Sequence, residues 1–208
     1  MIARQIVGLV GVAVALAAPL STPNPAAAAS CPDVEVVFAR GTTEPTGVGG
    51  TGQAFVDSLR QQVGARSVGA YPVNYPASYD FARSVPAGIN DASAHVQATA
   101  ANCPSTRIVL GGYSQGAAVV DIVTETLPPG IADHVAAVAV FGNPKSAFAD
   151  SLAVGPVPAI GPLYGPKTID LCVPGDPICS DGSNQTAHVM YVQSGMTAQA
   201  AAFAAGRL

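Results

Sequence analysis

One short stretch of this 208-residue chain has the residue types that attack acyl groups: Gly112-Tyr113-Ser114-Gln115-Gly116. It is a G-x-S-x-G pattern. It runs out of the β-branched and apolar stretch Arg107-Ile108-Val109-Leu110-Gly111 and leads into residues 117–126, which read as a helix. A serine flanked by glycines between a strand and a helix is a nucleophile elbow. The glycines allow backbone to approach closely around a tight turn, and that turn lifts the Ser114 hydroxyl clear of the sheet. Ser114 is left at a helix N-terminus, where free N–H groups and the helix dipole favour developing negative charge.

A serine hydroxyl is a poor nucleophile until a base takes its proton. The chain has three histidines. His95 falls within an expected helix and reads as a surface or satisfied residue. His134 stands just before a strand, upstream of every plausible acid in the late chain. His188 ends the polar loop Asp181-Gly182-Ser183-Asn184-Gln185-Thr186-Ala187. With the order serine, acid, histidine, only His188 leaves room for the acid. Asp150, Asp170, Asp176 and Asp181 lie in the interval. Asp170 belongs inside a strand and Asp181 in a Gly/Ser loop. Asp176 follows a strand in Val173-Pro174-Gly175-Asp176-Pro177 and is enclosed by Cys172 and Cys179. A disulfide there would stiffen the loop that presents the carboxylate, which an orienting residue requires. Asp176 is therefore the expected orienter, with Asp181 as the alternative. Donors for an oxyanion are expected from the Gln115 N–H and from Ala39-Arg40-Gly41-Thr42-Thr43-Glu44, where Thr42 brings both an N–H and a hydroxyl.

The elements that must position these groups alternate along the chain. Strands are expected at residues 34–39, 68–73, 107–111, 135–141 and 168–173, and helices at 53–62, 87–101, 117–126 and from 196 to 203. Continuously apolar strands alternating with helices predict an α/β fold, a parallel sheet covered on both faces. Residues 147–166 are rich in Gly and Pro, with Leu152, Val154, Val157, Ile160, Leu163 and Tyr164. They read either as a surface excursion or as an apolar lip beside the site, with Tyr79 and Phe81 on another loop.

Composition bounds the rest. Nine basic against thirteen acidic residues give a net charge of −4, with no basic cluster, which argues against nucleic acid as a partner. No phosphate-binding or dinucleotide-binding glycine motif is present, so no cofactor is expected. Residues 1–29 read as a secretory signal: Arg4 opens it, residues 6–18 are apolar but short for a membrane span, and Ala27-Ala28-Ala29 fits a cleavage site. No later stretch is long and apolar enough to span a bilayer. The mature chain is then one domain, residues 30–208. Its four cysteines, Cys31, Cys103, Cys172 and Cys179, lack zinc-type spacing, so disulfides are expected rather than a metal site. Cys31 and Cys103 each precede a strand, and a bridge suits them if those strands are parallel neighbours.

The loop Ala39–Glu44, the Gly112–Gly116 elbow, the Cys172-x3-Asp176-x2-Cys179 loop and the late His188 together resemble the cutinases. In particular they resemble the cutinase-like serine esterases secreted by mycobacteria and related actinobacteria. The similarity runs from Cys31 to the C-terminal helix. It implies a lidless α/β-hydrolase with a five-stranded parallel sheet, and pairing of Cys31 with Cys103 and Cys172 with Cys179. It implies Ser114 as nucleophile, Asp176 as orienter, His188 as general base, and Thr42 where fungal cutinases usually carry Ser. The expected protein is a secreted, monomeric serine esterase whose partner is an ester or lipid, with lipase or phospholipase activity within range. Acyl transfer in the cell envelope and a catalytically silent binding protein are the alternatives.

Overall fold

Alternation along β1 (Val34–Ala39) shows how the layers are built. Val34, Val36 and Phe38 pack on one side of the sheet, Val37 and Ala39 on the other, and all are buried. Such a strand needs cover on both faces. In the computed structural model, which describes residues 1–2, 31–152 and 157–208, β1 is joined by β2 (Val68–Pro72), β3 (Arg107–Tyr113), β4 (Val135–Phe141) and β5 (Thr168–Leu171). The sheet is parallel throughout, in the order β2-β1-β3-β4-β5. Helices α1 (Gly49–Gln62), α2 (Phe81–Asn102), α3 (Gln115–Thr126), α4 (Ala147–Leu152) and α5 (Met196–Ala205) complete it. Beyond its first two residues, the expected signal segment lies outside the described residues, as does Val154. Among the described residues, no helix is long and apolar enough to cross a membrane.

Two cores flank the sheet. Under α1 and α5, Phe38, Phe55 and Phe141 meet with ring centroids 5.9–6.4 Å apart. Cutting any of these fully buried rings back to alanine removes transfer energy and leaves a void, at a cost of about 3–5 kcal/mol. Under α2 and α3, Val37, Val96, Leu110, Val119, Val123 and Val140 form the second core.

Three elements differ by four residues or more from the expected pattern. α1 begins at Gly49, four residues before the expected start. α2 begins at Phe81, six residues before the expected start, and has Pro86 inside it. Pro86 is exposed in the second turn, and the carbonyl of Ala82 that it leaves without an N–H partner belongs to an exposed residue, where solvent can reach it. α4 forms within the stretch read as irregular; it is only six residues long, below what periodicity can detect.

Chain order fixes where the site falls. From β1 the chain moves out to β2, then crosses back over β1 to β3 and continues outward. α1 covers one face and α3 the other, so a crevice opens at the C-terminal ends of β1 and β3. Ala39 and Gly112 pair across these strands, which places the loop after β1 beside the elbow after β3.

Candidate active site

The elbow sits where β3 ends and α3 begins. Ser114 has φ 55° and ψ −118°, a conformation a side chain seldom adopts, and caps α3. The surrounding glycines are required by contact. A Cβ at Gly112 would lie 2.2 Å from the Gly116 carbonyl oxygen, and one at Gly116 would lie 1.9 Å from that of Ala39. The other two non-glycine residues with positive φ among the described residues, Thr43 and Ala77, face each other on neighbouring loops, the Thr43 N–H donating to the Ala77 carbonyl at 2.7 Å. Backbone strain is thus gathered around one spot, as it is at functional sites.

His188 lies in a short helical turn at Ala187–Val189, 18% exposed. Its Nε2 is 2.9 Å from Ser114 Oγ, and its Nδ1 is 2.8 Å from Asp176 Oδ2. Asp176 is fully buried in the loop after β5, closed by the Cys172–Cys179 disulfide. Burial by itself raises the pKa of this carboxyl. Hydrogen bonds from His188, the Tyr191 hydroxyl and the Ile178 N–H outweigh burial and hold it below the ordinary value. The group remains an anion and can only accept.

The facing wall is fastened by buried polar side chains. Gln115 Nε2 donates to the Ser78 carbonyl at 2.8 Å, and Ser84 Oγ donates to Gln115 Oε1 at 2.6 Å. A carbonyl cannot donate, so the amide has one orientation. Gln115 Nε2 therefore also donates to Thr42 Oγ1, at 3.2 Å, which leaves the Thr42 hydroxyl proton free to be donated elsewhere. The Thr42 loop is held in turn by Arg40, whose guanidinium donates to the carbonyls of Glu44, Tyr75 and Pro76. The Glu44 carboxylate takes the N–H groups of Gly41 and Gly50. The Gln115 N–H, in the first turn of α3, has no acceptor within the helix.

Between these walls lies a cavity of about 530 Å³. Ser114 and His188 open into it, as do Thr42 and Gln115. The rest of its lining is mostly apolar: Tyr79, Phe81 and Val85 on one side, Ala118 and Ile122 along α3, and Phe148, Leu152, Val157 and Pro158 opposite. The expected lip divides in two. Leu152 and Val157 line the cavity, whereas Tyr164 is buried and Ile160 packs beside it against the α2/α3 core. Leu163 points outward, about half exposed. The close approach of Gly161 to the Thr124 carbonyl, with no room for a Cβ, turns the chain back into the core.

The remaining titratable candidates fall elsewhere. Asp181 is exposed in its loop. Asp170 is on β5, bonded to Asn143 and Lys145, and Asp150 is in α4. His134 precedes β4, at the far end of the sheet from Ser114. His95 stacks on Tyr71 with ring centroids 3.4 Å apart and bonds Glu35 at 3.0 Å. Cys31 and Cys103 are bridged, with Cα atoms 5.6 Å apart ahead of the paired strands β1 and β3. Motif reasoning missed Ser84, Tyr113, Tyr191 and the role of the Gln115 amide. Nothing in their local sequence marks them, because each acts through a distant partner.

Fold and constellation define an α/β-hydrolase, without a lid among the described residues. The family model described as Cutinase matches residues 30–208, and the chain belongs to that family. Carboxylesterase Culp1 of Mycobacterium tuberculosis is 59% identical, over 100% of this chain and 98% of that protein. Phospholipase Culp4 of the same organism is 54% identical, over 99% and 93%. Among solved structures, Trichoderma reesei cutinase in complex with a phosphonate inhibitor superposes with a TM-score of 0.70 at 33% identity, covering 85% of this chain and 76% of that one. The protein is a serine carboxylic ester hydrolase.

Proposed function

We propose that the protein is a secreted esterase that cleaves fatty acyl esters through Ser114, His188 and Asp176. The observation behind this reading is the unbroken line from Ser114 Oγ through both His188 ring nitrogens to Asp176, at 2.9 and 2.8 Å, facing an apolar cavity. His188 takes the Ser114 proton as Oγ attacks the ester carbonyl, and the buried carboxylate of Asp176 stabilises the imidazolium. The carbonyl oxygen gathers negative charge and is met by the Gln115 N–H and by the N–H and hydroxyl of Thr42. His188 then hands its proton to the departing alkoxide. Water, activated by the same imidazole, releases the acid from Ser114. The domain is residues 30–208, behind a cleaved signal at 1–29. Two disulfides support an oxidising compartment.

The acyl chain lies along α3. Ser114, Ala118 and Ile122 follow one another at four-residue intervals into the cavity. At 1.5 Å per residue this is a track of about 12 Å, room for roughly ten extended carbon–carbon bonds. The apolar lining fits neutral lipid esters and the acyl portion of phospholipids.

The test is the initial rate on p-nitrophenyl esters from acetate to palmitate, beside Ser114→Ala, with a fluorophosphonate probe to locate the labelled residue. Activity lost with Ser114→Ala and label found on Ser114 are the expected results. Label elsewhere, or activity that survives the substitution, refutes the reading. An added alcohol acceptor that captured the acyl group in preference to water would show a transferase instead.

A further inference from the structure

Tyr191 is three residues past His188 and almost fully buried. A buried phenol needs a partner, and a merely satisfied core tyrosine could take any nearby acceptor. This one donates to Asp176 Oδ2 at 2.5 Å, the same oxygen that faces His188 Nδ1 at 2.8 Å. The polarity is not in question. The ionised carboxylate can only accept, and the Val173 N–H points at the phenol oxygen from 3.4 Å, occupying it as an acceptor. The other carboxylate oxygen takes the Ile178 N–H at 2.8 Å. The Tyr191 ring stands edge-on to His188, with centroids 6.4 Å apart, and is seated against Phe141 and Tyr113. The backbone at Gly142 passes close to it: a Cβ there would lie 3.0 Å from the Tyr191 hydroxyl and from the His188 ring.

We propose that Tyr191 is a positioning residue of the ester hydrolysis, its hydroxyl sharing Asp176 Oδ2 with His188 and so setting how strongly the imidazole draws the Ser114 proton. The proposal rests on the Ser114–His188–Asp176 reading. Two donors on one oxygen do two things. They fix the direction of the carboxylate, so Nδ1–H has one place to go. They also divide its charge, so the imidazolium is stabilised less than it would be by an undivided anion. Without the phenol, the Ile178 N–H still holds Oδ1, but Oδ2 loses one of the two donors that orient it, so Nδ1–H is less well aligned while the whole charge of that oxygen falls to His188. Besides His188 and Tyr191, the titratable group close enough to feel this carboxylate is Tyr113, whose hydroxyl donates to the His188 carbonyl at 2.6 Å.

The experiment is Tyr191→Phe, which keeps the ring and its packing, with the pH profile of kcat/KM, KM and kcat measured separately, and the Nδ1 proton resonance of His188. The expected result is an acidic limb about half a unit higher, a kcat roughly tenfold lower, an unchanged KM and a displaced Nδ1 proton signal. An acidic limb and Nδ1 resonance identical to wild type, while Ser114→Ala is inactive, overturn the role of Tyr191 alone. Activity that survives Ser114→Ala overturns it together with the triad. A loss confined to melting temperature marks Tyr191 as packing only and overturns the proposal.

Discussion

The polar region of the site is tied by hydrogen bonds in two groups, Ser114, His188, Asp176 and buried Tyr191 in one, and Thr42, Gln115 and buried Ser84 in the other. In the apolar region of the lining, Phe148 and Leu152 stand nearly half exposed, and Tyr79 is 73% exposed. The first region is held by directional donors and acceptors, the kind of fixed geometry that a reacting centre needs. The second needs only shape and low polarity, because an acyl chain has no direction to recognise. Substitutions should therefore split cleanly. Changes in the polar region should alter kcat on every ester, and changes in the apolar region should alter which ester is preferred.

The largest effect expected is from Ser114→Ala, with a loss of about 10⁴-fold or more on all acyl lengths, read from initial rates. Asp176→Asn should follow at about 10³–10⁴-fold, since the amide presents the wrong partner to Nδ1; a loss of only a few-fold would show that the carboxylate is not the orienter. Thr42→Val keeps shape and N–H but deletes the hydroxyl, and should lower kcat by about 10²-fold with KM nearly constant. Ile122→Trp should leave acetate and butyrate rates within a few-fold but shift the chain-length optimum shorter. A uniform fall across the series would instead place Ile122 in the catalytic region and break the division.

The smallest effect concerns stability. Asp121 lies on α3, 2% exposed, seven residues after Ser114. Burial pushes its carboxyl up to about 7, with the Asp170 charge adding to this and the Asn143 amide and Lys145 opposing it. The folded value is above the unfolded one, so on raising pH the unfolded chain loses its proton first. Stability should fall as pH rises between about 4 and 7, then level off. Asp121→Asn should remove that fall, raising Tm at about pH 8 by several degrees while leaving it little changed near pH 4; scanning calorimetry across that range checks it.

Legibility follows the same division. The elbow, Asp176 and His188 were readable because each sits in a local pattern whose residues act on their neighbours: glycines that open a turn, a cysteine pair around an aspartate. β1 and β4 were readable to the residue, since strands buried on both faces are apolar almost throughout, Glu35 being the one charged residue in the two. α4 was not, being shorter than two helical turns, and Pro86 disguised the true start of α2. The apolar wall carries no motif at all. Ile122, Phe148 and Tyr79 are ordinary hydrophobic residues until the fold turns them toward one cavity.

The sequence by itself determined the ester-hydrolase class, the parallel α/β fold and the family, because these rest on residue types at short spacing and on strand and helix periodicity. Only the tertiary structure decided that Gln115 leaves the Thr42 proton free, that Tyr191 shares an oxygen with His188, and that the 147–166 stretch divides between cavity and core. Those outcomes depend on contacts between residues far apart in the chain, and such contacts exist only once the sheet has brought its strand ends together.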